Sequence, residues 1–301
     1  MTQPPHDSPL VQTTDVGGIR IHALDAGTQW LDGGAMFGVV PRPLWSRHAA
    51  PDDKNRIALG LRCLLVEAPG ALVLVDTGIG NKESERFHKI YGVDNAGAPT
   101  QLEDAIRAAG FGPEDIDLVV STHLHFDHAG GNTRLRSVGD VVPSFPDAEY
   151  VVQDAEFRFA HRHNERIRAS YLPDNFDPIE RAGLWRFVEG ETEITEGVAV
   201  IPTPGHTPHH QSVLIQSDGE TACFLADVCP TVAHLPLPWI MGYDLEPLVT
   251  LESKRELWER AFRDDWLLIF EHDPVVPWGR LDPDVDRPAL RTPEDATGNP
   301  E

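Results

Sequence analysis

The feature that most constrains this chain is the six-residue run His123-Leu-His125-Phe-Asp127-His128, set directly after the apolar segment Ile116-Asp-Leu-Val-Val-Ser121. The apolar segment reads as a buried strand. A chain leaving a strand end can turn alternate side chains toward one point, so positions 123, 125 and 127 can converge while His128 faces a neighbouring position. Imidazoles packed this densely would be costly to bury without partners. Imidazole and carboxylate together suit zinc, iron or manganese better than calcium. Gly130-Gly131 follows and is expected to let the backbone turn sharply into a helix. Four donors in one loop cannot enclose two metals, so further ligands must come from other strand ends. Three residues have that setting: His206 in Thr203-Pro-Gly-His-Thr-Pro208, Asp227 closing Phe224-Leu-Ala-Asp227, and His272 after Leu267-Leu-Ile-Phe-Glu. A carboxylate among them can bridge two cations and neutralise both.

Of the 301 residues, 41% are hydrophobic and 24% charged, which is ordinary for a chain with a real core. A formal net charge of -23 repels phosphate backbones, so nucleic acid is a poor partner. It does not make the substrate cationic, because bound metals would reverse the field locally. No apolar run is long enough for a membrane span. The polar start Met-Thr-Gln-Pro-Pro lacks the build of a secretory signal, so the expected location is the cytoplasm. Cys63, Cys223 and Cys229 are an odd count without CxxC spacing, which argues against a disulfide scaffold or a cysteine zinc site.

Residues 1–14 and 283–301, rich in Pro, Asp, Thr and Glu, read as mobile tails around a single domain over 15–282. Segments 62–67 and 71–76, split by Ala68-Pro-Gly70, suggest a hairpin. Leu102, Ala105, Ile106 and Ala109 recur at helical spacing. Further strands are expected over 150–153, 198–202, 211–216, 222–227 and 266–270, with helical pieces in 154–181. An amphipathic helix is expected over 248–262, with 248, 251, 257, 258, 261 and 262 as its apolar positions. Strand runs interrupted by helices indicate sheets covered by helices. This pattern leaves a single sandwich and a doubly wound sheet both open.

The order Asp76-Thr-Gly78, the run at 123–128, then His206, Asp227 and His272 resembles the full ligand series of the metallo-β-lactamase superfamily. The resemblance implies an α/β fold, an αββα sandwich of two face-to-face sheets with helices outside. It also implies two divalent metal ions, zinc first, with iron or manganese as alternatives. His123, His125 and His206 would hold one; Asp127, His128 and His272 the other; Asp227 would bridge; and Asp76 would orient a ligand loop from behind. Two cations about 3.5–4 Å apart can activate water at neutral pH. Asp127 could then pass the proton to the leaving group.

Within the superfamily, His125 stands where flavodiiron-type redox members place a Glu, which favours hydrolysis. The Phe270-Glu-His-Asp273 stretch and the Thr203–Ser212 segment look most like the group of N-acyl homoserine lactonases and methyl parathion hydrolase-like enzymes. That likeness implies a hydrolase acting on a lactone, ester or phosphotriester. The alternatives are a mononuclear-iron oxidoreductase resembling persulfide dioxygenases, a glyoxalase II-like thioesterase, and a metal-binding protein without turnover. The lactonases use a tyrosine near the metals; Tyr243 and Tyr171 are the candidates here, Tyr243 first. Met36-Phe37-Gly38 and the segment 234–243 read as apolar loops, either walls of a small-molecule pocket or ordinary core or dimer contacts, so a homodimer is left possible. His209, His210 and His234 are expected behind the ligands or on the surface, and His161 and His163 on a solvated helix face.

Overall fold

The apolar run 62–67 is continuous because its strand is buried on both sides. Leu64 and Val66 face one way into a cluster with Val198, Val213 and Phe224, while Cys63 and Leu65 face the other way onto Leu102, Ala105 and Ile106. A half-exposed strand would alternate apolar and polar residues; one sandwiched between layers need not. The computed structural model describes residues 9–282 and 288–291, apart from 138 and 163.

In chain order the strands are β1 (Val11–Val16), β2 (Ile19–Asp32), β3 (Arg56–Ala68), β4 (Ala71–Val75), β5 (Leu118–Val120), β6 (Thr133–Ser137), β7 (Asp140–Pro143), β8 (Glu149–Gln153), β9 (Trp185–Val188), β10 (Thr192–Thr195), β11 (Val198–Pro202), β12 (Gln211–Ser217), β13 (Glu220–Phe224), β14 (Leu267–Ile269), β15 (Trp278–Leu281) and β16 (Leu290–Arg291). The helices are α1 (Gly33–Phe37), α2 (Arg42–Trp45), α3 (Glu85–Tyr91), α4 (Gln101–Ala108), α5 (Phe126–Ala129), α6 (Asp154–Ala160), α7 (Asp177–Ala182) and α8 (Pro247–Arg263).

Two seven-stranded sheets result, ordered β1-β2-β3-β4-β5-β8-β9 and β10-β11-β12-β13-β14-β15-β16; β6 and β7 form a separate ribbon. The first sheet is antiparallel up to β4 and parallel from β4 to β9, whereas the second is antiparallel except for the parallel pair β13–β14. The inner faces meet in one cluster of Val, Ile, Leu and Phe. α4 covers the outer face of the first sheet and α8 that of the second. The arrangement is the expected αββα sandwich, which decides against a single doubly wound sheet.

Two tail boundaries need correction. β1 starts at Val11, inside the expected tail 1–14, because Val11–Val16 pairs along Ile19–Leu24. Leu290–Arg291 likewise pairs with β15, inside the expected tail 283–301. Residues 1–8, 283–287 and 292–301 of the two tails lie outside the described residues. α8 is helical as expected, but its buried face is Thr250, Ser253, Lys254, Leu257, Trp258 and Ala261. Leu248 is 76% exposed and Phe262 39%. No described helix is long and apolar enough to cross a membrane.

Candidate metal centre

Every expected ligand follows the carboxyl end of a strand. β5 ends at Val120, ahead of His123; β11 ends at Pro202, ahead of His206; β13 ends at Phe224, ahead of Asp227; and β14 ends at Ile269, ahead of His272. Sheets with parallel strands gather such ends on one edge, where side chains from distant parts of the chain can converge. Asp227 is delivered by a tight turn in which Ala226 holds φ 47°, a conformation few non-glycine residues adopt and one that surrounding structure must enforce.

The seven residues meet as two groups. His123, His125, His206 and Asp227 place their donor atoms within 4.8 Å of one another, and so do Asp127, His128 and His272. Asp227 reaches both. Its Oδ2 lies 3.0 Å from His206 Nε2 and 3.4 Å from His128 Nε2, and its Oδ1 lies 3.1 Å from His272 Nε2.

Hydrogen bonds on the far side of the rings fix which nitrogen faces the centre. His123 Nδ1 donates to Thr122 Oγ1, whose own proton goes to Asp76. His206 Nδ1 donates to Asp244 and His272 Nδ1 to the Gly60 carbonyl. His128 Nδ1 lies 3.1 Å from Asp76 Oδ2 and 3.0 Å from Glu271 Oε2. In each case Nε2 is left as a lone pair turned inward, as in metal-binding histidines. Asp76 also accepts from the Thr122 amide at 2.8 Å, which ties the end of β4 to the segment that carries His123. Its φ of 53° turns the chain out of β4.

Without cations the centre is only partly satisfied: Asp227 can pair with His206 and His272, but the other ring nitrogens lack good partners. His123 Nε2 is buried with no hydrogen bond. His125 Nδ1 faces His206 Nε2 at 3.0 Å, and His128 Nε2 faces His272 Nε2 at 3.3 Å, so lone pairs oppose each other unless something positive lies between. The charge balance makes the same demand. Burial disfavours the imidazolium of His206, yet Asp227 and Asp244 outweigh it and raise its pKa to about 10. The same contest at His272, won mainly by Asp227, gives about 9. Burial and neighbouring imidazoles push His123 and His125 far the other way. Carboxylates that call for positive charge among rings that cannot all be protonated fit divalent cations.

A cavity of about 210 Å³ opens on the centre, lined by His125, Asp127, His206, Asp227 and His272 together with Leu31, Met36, Leu59, Tyr91, Phe126, Met241 and Tyr243. Tyr243 therefore stands at the site. Tyr171 does not reach the cavity: it is buried, and its hydroxyl donates to Glu156. Tyr91, not singled out from the sequence, joins Tyr243 in the wall.

Several other expectations change. Met36 and Phe37 lie in a helix, not a loop. Phe37 stacks between Trp45 and His234, while Met36 faces the cavity. Gly130 and Gly131 do not lead into a helix; they follow α5. A Cβ on Gly130 would lie 2.3 Å from the Ile79 carbonyl, and one on Gly131 2.2 Å from that of Thr77, so these glycines serve close packing. His210 and His234 are buried behind the site, and His209 is partly exposed. His161 sits just past α6, paired with Asp177. His163 lies outside the described residues.

Residues that the sequence reading missed include Asp244, Glu271, Glu156 and Gln29, whose amide donates to Asp127 Oδ2 at 2.5 Å. Glu271 and Asp244 carried a local signal, each beside a residue already singled out. Gln29 and Glu156 carried none, since only the fold brings them to the centre.

The family model described as the metallo-beta-lactamase superfamily matches residues 59–272, well over half of the chain. The chain belongs to the metallo-β-lactamase superfamily. It is 29% identical over 229 residues to an N-acyl homoserine lactonase of Bacillus cereus, a match covering 73% of this chain and 83% of that one. A probable metal-dependent hydrolase from Staphylococcus aureus superposes with a TM-score of 0.84 at 30% identity, covering 92% of this chain and 99% of that one. A dizinc quorum-quenching lactonase, seen with its product N-hexanoyl-L-homoserine, shares the fold at a TM-score of 0.77 and 18% identity, covering 94% and 97%. This superfamily member is a metal-dependent hydrolase.

Proposed function

We propose that the chain holds two divalent cations and opens a lactone ring, with N-acyl homoserine lactones as the first class of substrate to test. The observation that carries the reading is Asp227, whose two oxygens address both ligand groups at once. The names of the Bacillus relatives point to the same substrate class. His123, His125 and His206 would hold one cation, Asp127, His128 and His272 the other, and Asp227 would lie between.

When bound, two such cations supply Lewis acidity for a carbonyl oxygen and make hydroxide available near neutral pH. The chain's own residues do the rest. Asp127 keeps one oxygen on the Gln29 amide. That bond orients the carboxylate so that it can carry a proton to the departing ring oxygen. The hydroxyls of Tyr243 and Tyr91 offer hydrogen bonds to a substrate lying in the cavity. Leu31, Met36, Leu59, Phe126 and Met241 line the same space and would pack an acyl chain while excluding water.

The test is a hydrolysis panel of acyl-homoserine lactones, aryl esters and paraoxon-like triesters, followed by proton release, with oxygen uptake recorded in parallel. Lactone opening with no oxygen consumed is the expected result. Oxygen uptake without hydrolysis of any panel member would refute it.

A further inference from the structure

We infer that Glu156 is the positioning residue for the first cation site: one buried carboxylate that fastens all three of that site's histidines into a single unit. The inference rests on the two-cation reading above. Glu156 lies in α6 with no solvent exposure and belongs to neither ligand group.

Its hydrogen bonds come from three separate stretches of chain. Oε1 accepts from the Leu124 amide at 3.2 Å and from the Tyr171 hydroxyl at 2.7 Å. Oε2 accepts from Thr207 Oγ1 at 2.8 Å. Leu124 sits between His123 and His125, and Thr207 follows His206. The Tyr171 ring stands edge-on to His125, with ring centroids 4.6 Å apart. Each histidine of the first site is therefore one residue, or one ring contact, from this carboxylate.

A buried carboxylate is an expensive way to fill space. Burial pushes the Glu156 pKa up, and its three hydrogen bonds oppose that rise. A leucine would serve packing alone at no such cost. Individual ligands also have supports of their own: Thr122 on His123 and Asp244 on His206 in the first site, and Gln29 on Asp127, Asp76 and Glu271 beside His128, and the Gly60 carbonyl on His272 in the second. The bonds of Glu156, however, run only to the segments that carry the first site's histidines and to the Tyr171 that touches His125. Loss of Glu156 should thus loosen one of two cations, whereas a merely structural role would weaken both alike.

The experiment is chelator competition on the zinc-loaded full chain, with zinc counted per chain and folding followed by circular dichroism. Outer hydrogen-bond partners of metal ligands are worth about 10–100-fold in affinity. E156L is expected to lose one zinc about 10-fold or more readily than wild type and to keep the other within about twofold. E156Q, which keeps the shape but not the charge, should fall between. T207V and Y171F each remove one arm and should shift the same zinc by less. The double variant E156L/H206A should lose no more than H206A alone, since both act on one site. Should E156L not fold, E156Q, T207V and Y171F carry the test. Equal weakening of both zincs, or none in these folded variants, would overturn the role of Glu156. A wild-type chain that binds fewer than two zincs would instead overturn the two-cation reading, and this inference with it.

Discussion

Replacing Lys254 with Met should loosen the wall of the cavity without touching the ligands. Lys254 is fully buried on α8, and its ammonium donates to three carbonyls of one loop: His234 at 2.6 Å, Pro236 at 3.0 Å and Trp239 at 3.0 Å. That loop runs on to Met241 and Tyr243 in the cavity wall. Hydrogen bonds from a charged donor contribute about 1.5–3 kcal/mol each. Burial of the ammonium offsets several kcal/mol of that sum, and it already lowers the Lys254 pKa. Met keeps the apolar stem and leaves the three carbonyls without their donor. The net loss should be about 2–4 kcal/mol, or roughly 5–15 °C in Tm for a chain of this size. Denaturant unfolding gives the first figure and a thermal melt the second. Steady-state kinetics should show KM rising more than kcat falls, because the loop carries binding groups and no ligand. A K254M protein within about 0.5 kcal/mol of wild type, with unchanged KM, would refute the reasoning.

Three further outcomes are expected. His234 is buried with Nε2 on the Met36 carbonyl and Nδ1 on Thr231 Oγ1, an arrangement that suits the neutral ring. Burial lowers its pKa from 6.5 to about 3, helped by nearby Lys254 and His272 and opposed by the Met36 hydrogen bond and Asp227. The unfolded chain therefore binds the proton first, and stability is lost as pH falls from about 6.5 toward 3, by roughly 5 kcal/mol in all. Between pH 7.5 and 5 the wild type should lose about 2 kcal/mol more than H234Q in urea unfolding; parallel curves would contradict this. Y243F and Y91F should each keep stability within about 0.5 kcal/mol while lowering kcat/KM on a lactone about 10-fold; full activity in both would remove the tyrosines from the reaction. Asp227→Ala should lose most bound metal and all hydrolysis, checked by metal content and a lactone assay, with retained full activity excluding Asp227 as the bridge.

The sequence was most legible where chemistry and burial act locally. The run at 123–128 and the lone His206, Asp227 and His272 mark themselves by residue type at strand ends, and all of them converge. The strands at 62–67, 198–202 and 211–216 were readable because a layer buried on both sides needs continuous apolar residues. Reading failed where tertiary contacts decide. The buried face of α8 includes Thr250, Ser253 and Lys254 because the neighbouring loop presents carbonyls to it, so polarity misplaced the face toward Leu248 and Phe262. The long β2 was missed because it mixes charged and apolar residues on either side of a register shift between Asp25 and Thr28. Gln29 and Glu156 look like ordinary strand and helix residues until the fold sets them against Asp127, Tyr171 and Thr207.

Counting metal ions in purified protein tests the two-cation centre most directly. Inductively coupled plasma mass spectrometry on the wild-type chain, dialysed in buffer with zinc and then without, should find two equivalents per chain, falling to one or fewer in D227A. A wild-type chain that retains none, or a D227A chain that retains both, would contradict it.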